Sequence, residues 1–386
     1  MENFVVSARK YRPATFDTVV GQSHITTTLQ NAIKSNHLAQ AFLFCGPRGV
    51  GKTTCARILA KTINCLSLTP EQEACDKCEN CLSFNNQSSL SVYELDAASN
   101  NSVDDIRALV EQVRYMPQGK NKYKVYIIDE VHMLSNQAFN AFLKTLEEPP
   151  TYAKFILATT EKHKIIPTIL SRCQIFDFNR IQLNDISNHL AKIAQKETIT
   201  FEKEALDTIA LKADGGLRDA LSMFDLIVTF SSDNNITYQN TIQNLHVLDY
   251  DYYFKVTDAI LEEKTTDVLL IFDEILKKGF DGHNFIVGLS EHFRNLMVCK
   301  DAAAVKLLQV SEKVEKKYLE QSAKTSISFL LTALNIANQC DIQYKSSKNA
   351  RLHVEISLMK LANILNALQV SKTLFATTEE LKKKVN

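Results

Sequence analysis

Neither sign of charge is in excess: Lys plus Arg and Asp plus Glu each total 44. No global field therefore draws the chain to nucleic acid or to an anionic membrane, and any such binding has to come from local patches or from an assembly. No run approaches the roughly 18 consecutive apolar residues that a membrane span requires. The opening "MENFVVSARKYRP" has an acidic second residue and a single short apolar run, too little for a signal peptide. No fixed-period repeat or low-complexity tract is evident. What remains is an ordinary globular composition, 45% hydrophobic and 23% charged over 386 residues, a length that predicts more than one domain and a sizeable core. Nine cysteines without a secretion signal point to a reducing, cytoplasmic setting, where clustered cysteines more often hold metal than form disulfides.

From residue 40 to 180 short apolar runs alternate with amphipathic stretches: "AFLFC" (41–45), "VYEL" (92–95), "KVYIID" (124–129), "KFILATT" (154–160) and "CQIFDF" (173–178). Continuous apolar runs separated by helices predict a parallel sheet covered on both faces, an α/β domain over 1–179. A polar, cysteine-bearing excursion at about 65–91 interrupts it. Beyond about residue 180 the strands stop and helical periodicity takes over, as in "LNDISNHLAKIAQKE" and "EALDTIALKA". The polar break "TFSSDNNIT" (229–237) separates a first helical unit, 180–242, from a second, 243–369, with a tail over 370–386.

Residues 46–54, "GPRGVGKTT", follow one of the apolar runs and open an amphipathic helix, the strand, loop and helix context that a phosphate-binding loop requires. Gly46, Gly49 and Gly51 let the backbone turn its N–H groups toward an anion, with Pro47 and Val50 between them and Thr54 just behind. Lys52 adds charge near the β- and γ-phosphates, and Thr53 can ligate Mg2+. A metal-bound triphosphate also needs a carboxylate at the end of a neighbouring strand. "VYIIDEVHM" supplies Asp129 for the metal and Glu130 to orient or deprotonate water. A helix-capping acidic pair is the plainer reading of those two. His132 is expected as a packed or capping histidine.

Cys65, Cys75, Cys78 and Cys81 follow the spacing C-x9-C-x2-C-x2-C. Four thiolates can close a tetrahedral site with no open position, as in structural Zn2+. Redox pairing and iron–sulfur ligation are the other readings. Cys45, Cys55, Cys173, Cys299 and Cys340 stand apart in apolar surroundings and are expected in the core.

These residues together resemble the AAA+ clamp-loader ATPases. The resemblance runs from "ARKYRPATFDTVVGQ" through the phosphate loop, the four cysteines, "ELDAASN", "IIDEVHMLS", "FNAFLKTLEEPP", "LATTE" and "LSRC" to "GGLRDALS", covering residues 1 to about 225. It implies a P-loop AAA+ domain with a Zn-binding insertion, then an α-helical lid and an α-helical collar for oligomerisation. Arg172, in Ser171-Arg172-Cys173, would be an arginine finger that reaches the γ-phosphate held by the adjacent subunit, where a permanently charged planar guanidinium suits the transferring phosphoryl group; a solvated edge arginine is the alternative. Thr160 would be a sensor at a strand end, and Arg218 a second sensor on a lid helix, unless it pairs with Asp214 or Asp219. Ala8, Tyr11, Arg12, Val19 and Val20 fall where the family packs against adenine and ribose, or form an N-terminal brace. Arg107 and Lys144 are candidates for phosphate contacts to DNA, although Asp104, Glu147 and Glu148 stand at ion-pairing distance along their helices. Asn100 and Asn101 occupy a loop where relatives often carry basic residues.

The resemblance further implies an ATPase motor that uses ATP, Mg2+ and Zn2+ in a pentameric spiral. Its partners would be delta-type and delta-prime-type subunits, copies of itself, a ring-shaped sliding clamp and primer-template DNA, with polymerase and helicase reached through a longer form, all in a bacterial cytoplasm and none in a membrane. The rivals are a nucleotide-stabilised scaffold with little turnover and another AAA+ remodelling ATPase or DExH-type helicase. A helicase would need another motor domain, and the helical second half offers none.

Overall fold

The structure is a computed structural model that describes residues 5–367 other than 232, 233, 246, 247, 306, 307, 309 and 311. The expected tail, 370–386, lies outside the described residues. The chain separates into two compact units that meet at Thr237 and Tyr238.

The first unit is built on five parallel strands: β1 (Ala41–Cys45), β2 (Val92–Asp96), β3 (Lys124–Asp129), β4 (Ala153–Thr159) and β5 (Gln174–Asp177), in the order β2-β3-β4-β1-β5. Burial follows that order. Central β1 and β4 are buried throughout and β3 over all but its last residue, whereas the edge strands β2 and β5 keep exposed polar positions such as Glu94, Asp96 and Gln174. Three continuous apolar runs are the sequence trace of strands covered on both faces, and the two mixed runs are edges.

Alternate side chains build two cores. Leu43, Tyr126, Ile128, Phe155 and Leu157 face the helices Val103–Val113 and Asn136–Glu147, where Ile106, Leu109, Phe139 and Phe142 complete the packing. Phe42, Phe44, Val125, Ile127, Ile156 and Ala158 face the helices Ser23–Lys34 and Lys52–Ile63 through Ile25, Leu29, Ile58 and Leu59. Helix starts are set by side-chain caps. Ser102 accepts from Asp105 N at 3.2 Å, and Ser135 accepts from Ala138 N at 3.2 Å, caps typically worth about 1 kcal/mol each.

Helices Leu183–Lys196, Lys203–Lys212 and Leu217–Phe230 follow. The expectation that no strand lies beyond about residue 180 is corrected: β6 (Thr200–Phe201) pairs in parallel with β7 (Asn235–Ile236), inside the stretch expected to be a polar break. Two-residue strands carry no periodicity, so their pairing depends on the helices that bring them together.

In the second unit, helices Tyr250–Leu261, Thr265–Lys277, Gly282–Val298, Glu312–Lys324, Ile327–Tyr344 and Ala350–Ala362 surround a core that includes Val256, Phe272, Phe285, Leu289, Phe293, Phe329 and Leu358. His292 is buried there between Tyr318 Oη at 3.2 Å and Gln321 Oε1 at 2.8 Å. Among the described residues no helix is long and apolar enough to cross a membrane.

Candidate functional site

The carboxyl ends of β1, β3 and β4 lie side by side, the usual place for a ligand in a parallel α/β sheet. The phosphate-type loop leaves β1 there. Gly46 has φ 148°, and a Cβ on it would stand 2.4 Å from the Phe178 carbonyl oxygen, so only glycine fits. Gly51 has φ 105° and starts the helix Lys52–Ile63. The Lys52 Nζ donates to the Gly46 and Pro47 carbonyls at 2.7 Å each, which holds the ammonium inside the loop. Burial lowers its pKa, opposed by the nearby Glu130 and Asp129 charges. Val50 is buried, and Pro47, Thr53 and Thr54 are half-buried.

Thr53 Oγ1 donates to Asp129 Oδ2 at 2.6 Å, so the helix after the loop and the end of β3 meet through the two groups expected to hold a metal. Glu130 follows in a left-handed conformation, φ 48°, uncommon for a non-glycine residue and a form of stored strain. That turn aims its carboxylate across the sheet ends. Thr160 donates to Glu130 Oε2 from Oγ1 at 3.0 Å and from N at 3.3 Å. His132 is packed, as a histidine in that position was expected to be, but with a specific set of neighbours. Its Nδ1 lies 3.0 Å from Thr159 Oγ1, and its ring sits between Glu130 at 3.4 Å and Glu161 at 3.3 Å.

Arg218 lies at the start of the helix Leu217–Phe230, and its backbone N–H donates to the Gly49 carbonyl at 3.3 Å, so the lid helix abuts the loop. Asp214, one alternative partner, is paired with Arg180 instead. Arg12 is exposed, yet desolvation by its neighbours and then the charge of Arg57 lower its pKa, with Arg218 adding to the effect and Glu94 opposing it. Ala8 sits in the short helix Ser7–Lys10, whose Ser7 N donates to Asp225 Oδ2 at 2.7 Å. Tyr11 Oη and Lys10 Nζ both reach Glu197. Val19 packs on the core beneath the loop, and Val20 is half-buried beside it. The start of the N-terminal segment, Ser7 to Tyr11, is thus braced against Asp225 and Glu197.

Arg172 is away from this centre, at the surface. Its Nη2 lies 2.7 Å from Glu147 Oε1, and its Nη1 donates to the Thr168 carbonyl at 2.7 Å. Glu147, offered by the sequence as a partner for Lys144, is therefore engaged by Arg172. Lys144 is exposed, and Arg107 pairs with Asp104 at 3.2 Å on an exposed helix face.

The Sγ atoms of Cys65, Cys75, Cys78 and Cys81 all lie within 4.8 Å of one another. All nine cysteines are free thiols. Cys75 N donates to Cys65 Sγ, and Cys78 N to Cys75 Sγ, both at 3.3 Å. Backbone donors at Lys77 and Cys78 bring the Cys75 thiol down to about 6, while burial raises Cys65 and Cys81. Four converging sulfurs, with N–H groups already aimed at two of them, fit a tetrahedral thiolate site. The cluster is fastened to the phosphate-loop helix by Lys61 Nζ to Asp76 Oδ1 at 2.7 Å and by Asn80 Nδ2 donating to the Asn64 carbonyl at 2.7 Å.

Spacing pointed to none of Glu147, Glu197 and His132 as a partner in these contacts. The first two are joined to Arg172 and Tyr11 across long stretches of sequence, and no local pattern marks them.

Residues 21–182 match the family described as DNA polymerase III, delta subunit, and 185–233 match DNA polymerase III clamp loader subunit, ATPase lid domain. Residues 251–361 match DNA polymerase III delta subunit, C-terminal domain. The chain is 41% identical over 353 residues to DNA polymerase III subunit tau of Bacillus subtilis, an alignment that covers 92% of this chain and 62% of the relative. It is 35% identical over 362 residues to DNA polymerase III subunit gamma of Buchnera aphidicola subsp. Schizaphis graminum, covering 93% and 98%. Against DNA polymerase III subunit gamma of Buchnera aphidicola subsp. Baizongia pistaciae it is 39% identical over 306 residues, covering 79% and 82%. The chain thus spans nearly all of one gamma subunit and less than two thirds of the Bacillus tau subunit.

Proposed function

Because the chain belongs to the DNA polymerase III gamma/tau family of clamp-loader AAA+ subunits, we propose that it is the ATPase motor of a replicative clamp loader. The observation that carries this reading is the 2.6 Å bond from Thr53 to Asp129, with Glu130 held by Thr160 alongside Lys52. It unites the loop that grips phosphates with the strand-end carboxylates that serve a metal and a water. We assign the AAA+ part to 1–179, the lid to 180–242 and the collar to 243–369.

In this reading Gly46, Gly49, Gly51 and Lys52 hold the triphosphate, and Thr53 with Asp129 holds Mg2+, which supplies charge neutralisation during phosphoryl transfer. Glu130 orients or deprotonates water. Ala8, Tyr11, Arg12, Val19 and Val20 border the base and ribose. Arg218 carries the state of the phosphates into the lid, and Arg172 completes the active centre of a neighbouring copy. Cys65, Cys75, Cys78 and Cys81 hold structural Zn2+. Arg107 and Lys144 face DNA phosphates in the assembled spiral. The partners are delta-type and delta-prime-type subunits, further copies of this chain, the sliding clamp and primer-template DNA in the cytoplasm, with polymerase and helicase engaged by a longer form.

The deciding experiment combines the chain with delta-type and delta-prime-type subunits and follows steady-state ATP hydrolysis. Stimulation by sliding clamp plus primed DNA is the expected result. Hydrolysis that ignores both, with nucleotide binding intact, would identify a scaffold instead.

A further inference from the structure

Glu73 lies inside the cysteine module, between Cys65 and Cys75, and is only 5% exposed. Its Oε1 accepts from Asp17 N at 3.3 Å and from Gln30 Nε2 at 3.0 Å, while Oε2 is buried with no hydrogen-bond partner found. Burying a carboxylate with one oxygen unpartnered is costly. The position is nonetheless rigidly built. Glu73 N donates to Thr69 Oγ1 at 3.2 Å, and Thr69 N donates to the Glu73 carbonyl at 3.0 Å, closing a turn that presents the side chain outward from the module.

What it meets is the segment Phe16–Gln22. Phe16 is buried against the phosphate-loop side of the sheet. Val19 and Val20 come next, then Gly21 at φ 71°, where a Cβ would stand 2.8 Å from Ile181 Cγ2. Gln22, fully buried, donates to the Asn179 carbonyl at 2.7 Å and to the Val50 carbonyl at 3.4 Å. The segment is therefore fastened at its far end to the phosphate loop and at its near end to the cysteine module. The same module is fastened through Lys61, Asn64 and Cys65 to the end of the helix whose start is Lys52 and Thr53. One lobe thus holds both the segment that runs on to Val19 and Val20 and the helix that begins at Lys52 and Thr53.

We infer that the cysteine module is a positioning element for nucleotide binding, and that Glu73 is the residue through which it places the base-side segment Phe16–Val20. The inference rests on the proposed reading of Val19 and Val20 as bordering the base. Cys65 and Cys75 bracket Glu73 and their sulfurs already converge with those of Cys78 and Cys81, so a metal held by the four thiolates would fix the loop that places the Glu73 carboxylate against Asp17.

The test separates base-side from phosphate-side binding in the full chain, by displacing a fluorescent ATP analogue with ATP or with inorganic tripolyphosphate. Glu73→Ala should weaken ATP about tenfold and leave tripolyphosphate within about twofold. Glu73→Gln, which keeps an acceptor for Asp17 N–H, should restore most of the ATP affinity. Gln30→Ala should shift ATP in the same direction by less, and it carries the test if Glu73→Ala does not fold. Removal of bound metal, verified by metal content, should reproduce the ATP-selective loss. Equal weakening of both ligands, or no change in either, would overturn the inference. Val20→Asp is the control for the underlying reading: if it fails to weaken ATP selectively, the base-side assignment is wrong; if it succeeds while Glu73→Ala shows no selectivity, the role of Glu73 is wrong.

Discussion

Arg172 Nη2 stands 2.7 Å from Glu147 Oε1, an ion pair between the turn before β5 and the end of the helix Asn136–Glu147. The guanidinium is about one third exposed and the carboxylate about half. Exposed pairs of this kind typically contribute no more than about 1 kcal/mol. The pair orders the arginine at the surface without locking it there, a freedom that the proposed role as an arginine finger for a neighbouring copy would need.

Arg172→Ala should therefore leave nucleotide affinity nearly unchanged and reduce turnover in the assembly on the order of 1000-fold, the lower end for trans-acting arginines. Lys52→Ala should abolish tight nucleotide binding. Equilibrium binding and steady-state hydrolysis on the same preparations separate the two effects. Equal losses of affinity in both variants would refute this division of labour. Mixed assemblies, some chains lacking the lysine and others the arginine, should regain hydrolysis at shared boundaries.

Glu130→Gln should bind ATP as tightly as the parent and lose roughly 100- to 10000-fold in turnover, the range for a positioned general base. Thr160→Val removes the hydroxyl that holds the carboxylate and should lower turnover by less, with little change in affinity. Single-turnover hydrolysis measures both. A Thr160→Val variant that loses affinity as well would assign the threonine to nucleotide contact rather than to Glu130.

Gly46→Ala combines a strained φ with a Cβ placed 2.4 Å from the Phe178 carbonyl oxygen. Backbone strain of this kind costs about 1–3 kcal/mol, before any displacement of the chain at Phe178. Thermal unfolding should show a lower midpoint, and nucleotide titration a weaker site. Gly119→Ala tests the conformation without the clash, because φ is 65° there and nothing lies within 4 Å of the added carbon. It should be the milder of the two.

Burial brings His292 down to about 4, while its bond to Gln321 opposes the shift. An unfolded histidine titrates near 6.5, so between roughly pH 6.5 and 4 the unfolded chain binds the proton that the folded one refuses. Stability is full above that window and falls as the pH drops through it, by about 2 kcal/mol at pH 5. Chemical denaturation at pH 7 and pH 5 should reveal the loss, and His292→Asn should shrink the difference between the two. An unchanged difference would place the acid sensitivity elsewhere.

Removing metal from the cysteine cluster should loosen residues 65–91 first, visible as faster amide exchange there and a lower unfolding temperature. Normal thermal stability after verified metal loss would count against a structural metal.

Local spacing carried a great deal here. Strand runs stand out because β1, β3 and β4 are covered on both faces and so tolerate almost no polar residue. Gly46, Gly49, Gly51, Lys52 and Thr53 are legible because a phosphate loop needs fixed residue types at fixed separations. The four cysteines are legible because their spacing sets them in one short excursion, where their sulfurs come within 4.8 Å of one another. Asp129 and Glu130 could be placed because a strand's end is where its apolar run stops.

The pairing of β6 with β7, the hold of Glu147 on Arg172, the span from Tyr11 to Glu197 and the approach of Glu73 to Asp17 were not written in any pattern of that kind. Each joins residues far apart in the chain, and their distance is set by how helices pack on the sheet. A sequence records which groups are present and what local geometry they prefer. Only the packed fold decides which of them come within hydrogen-bonding reach, because that depends on the summed shape of side chains from elements that share no neighbouring residues.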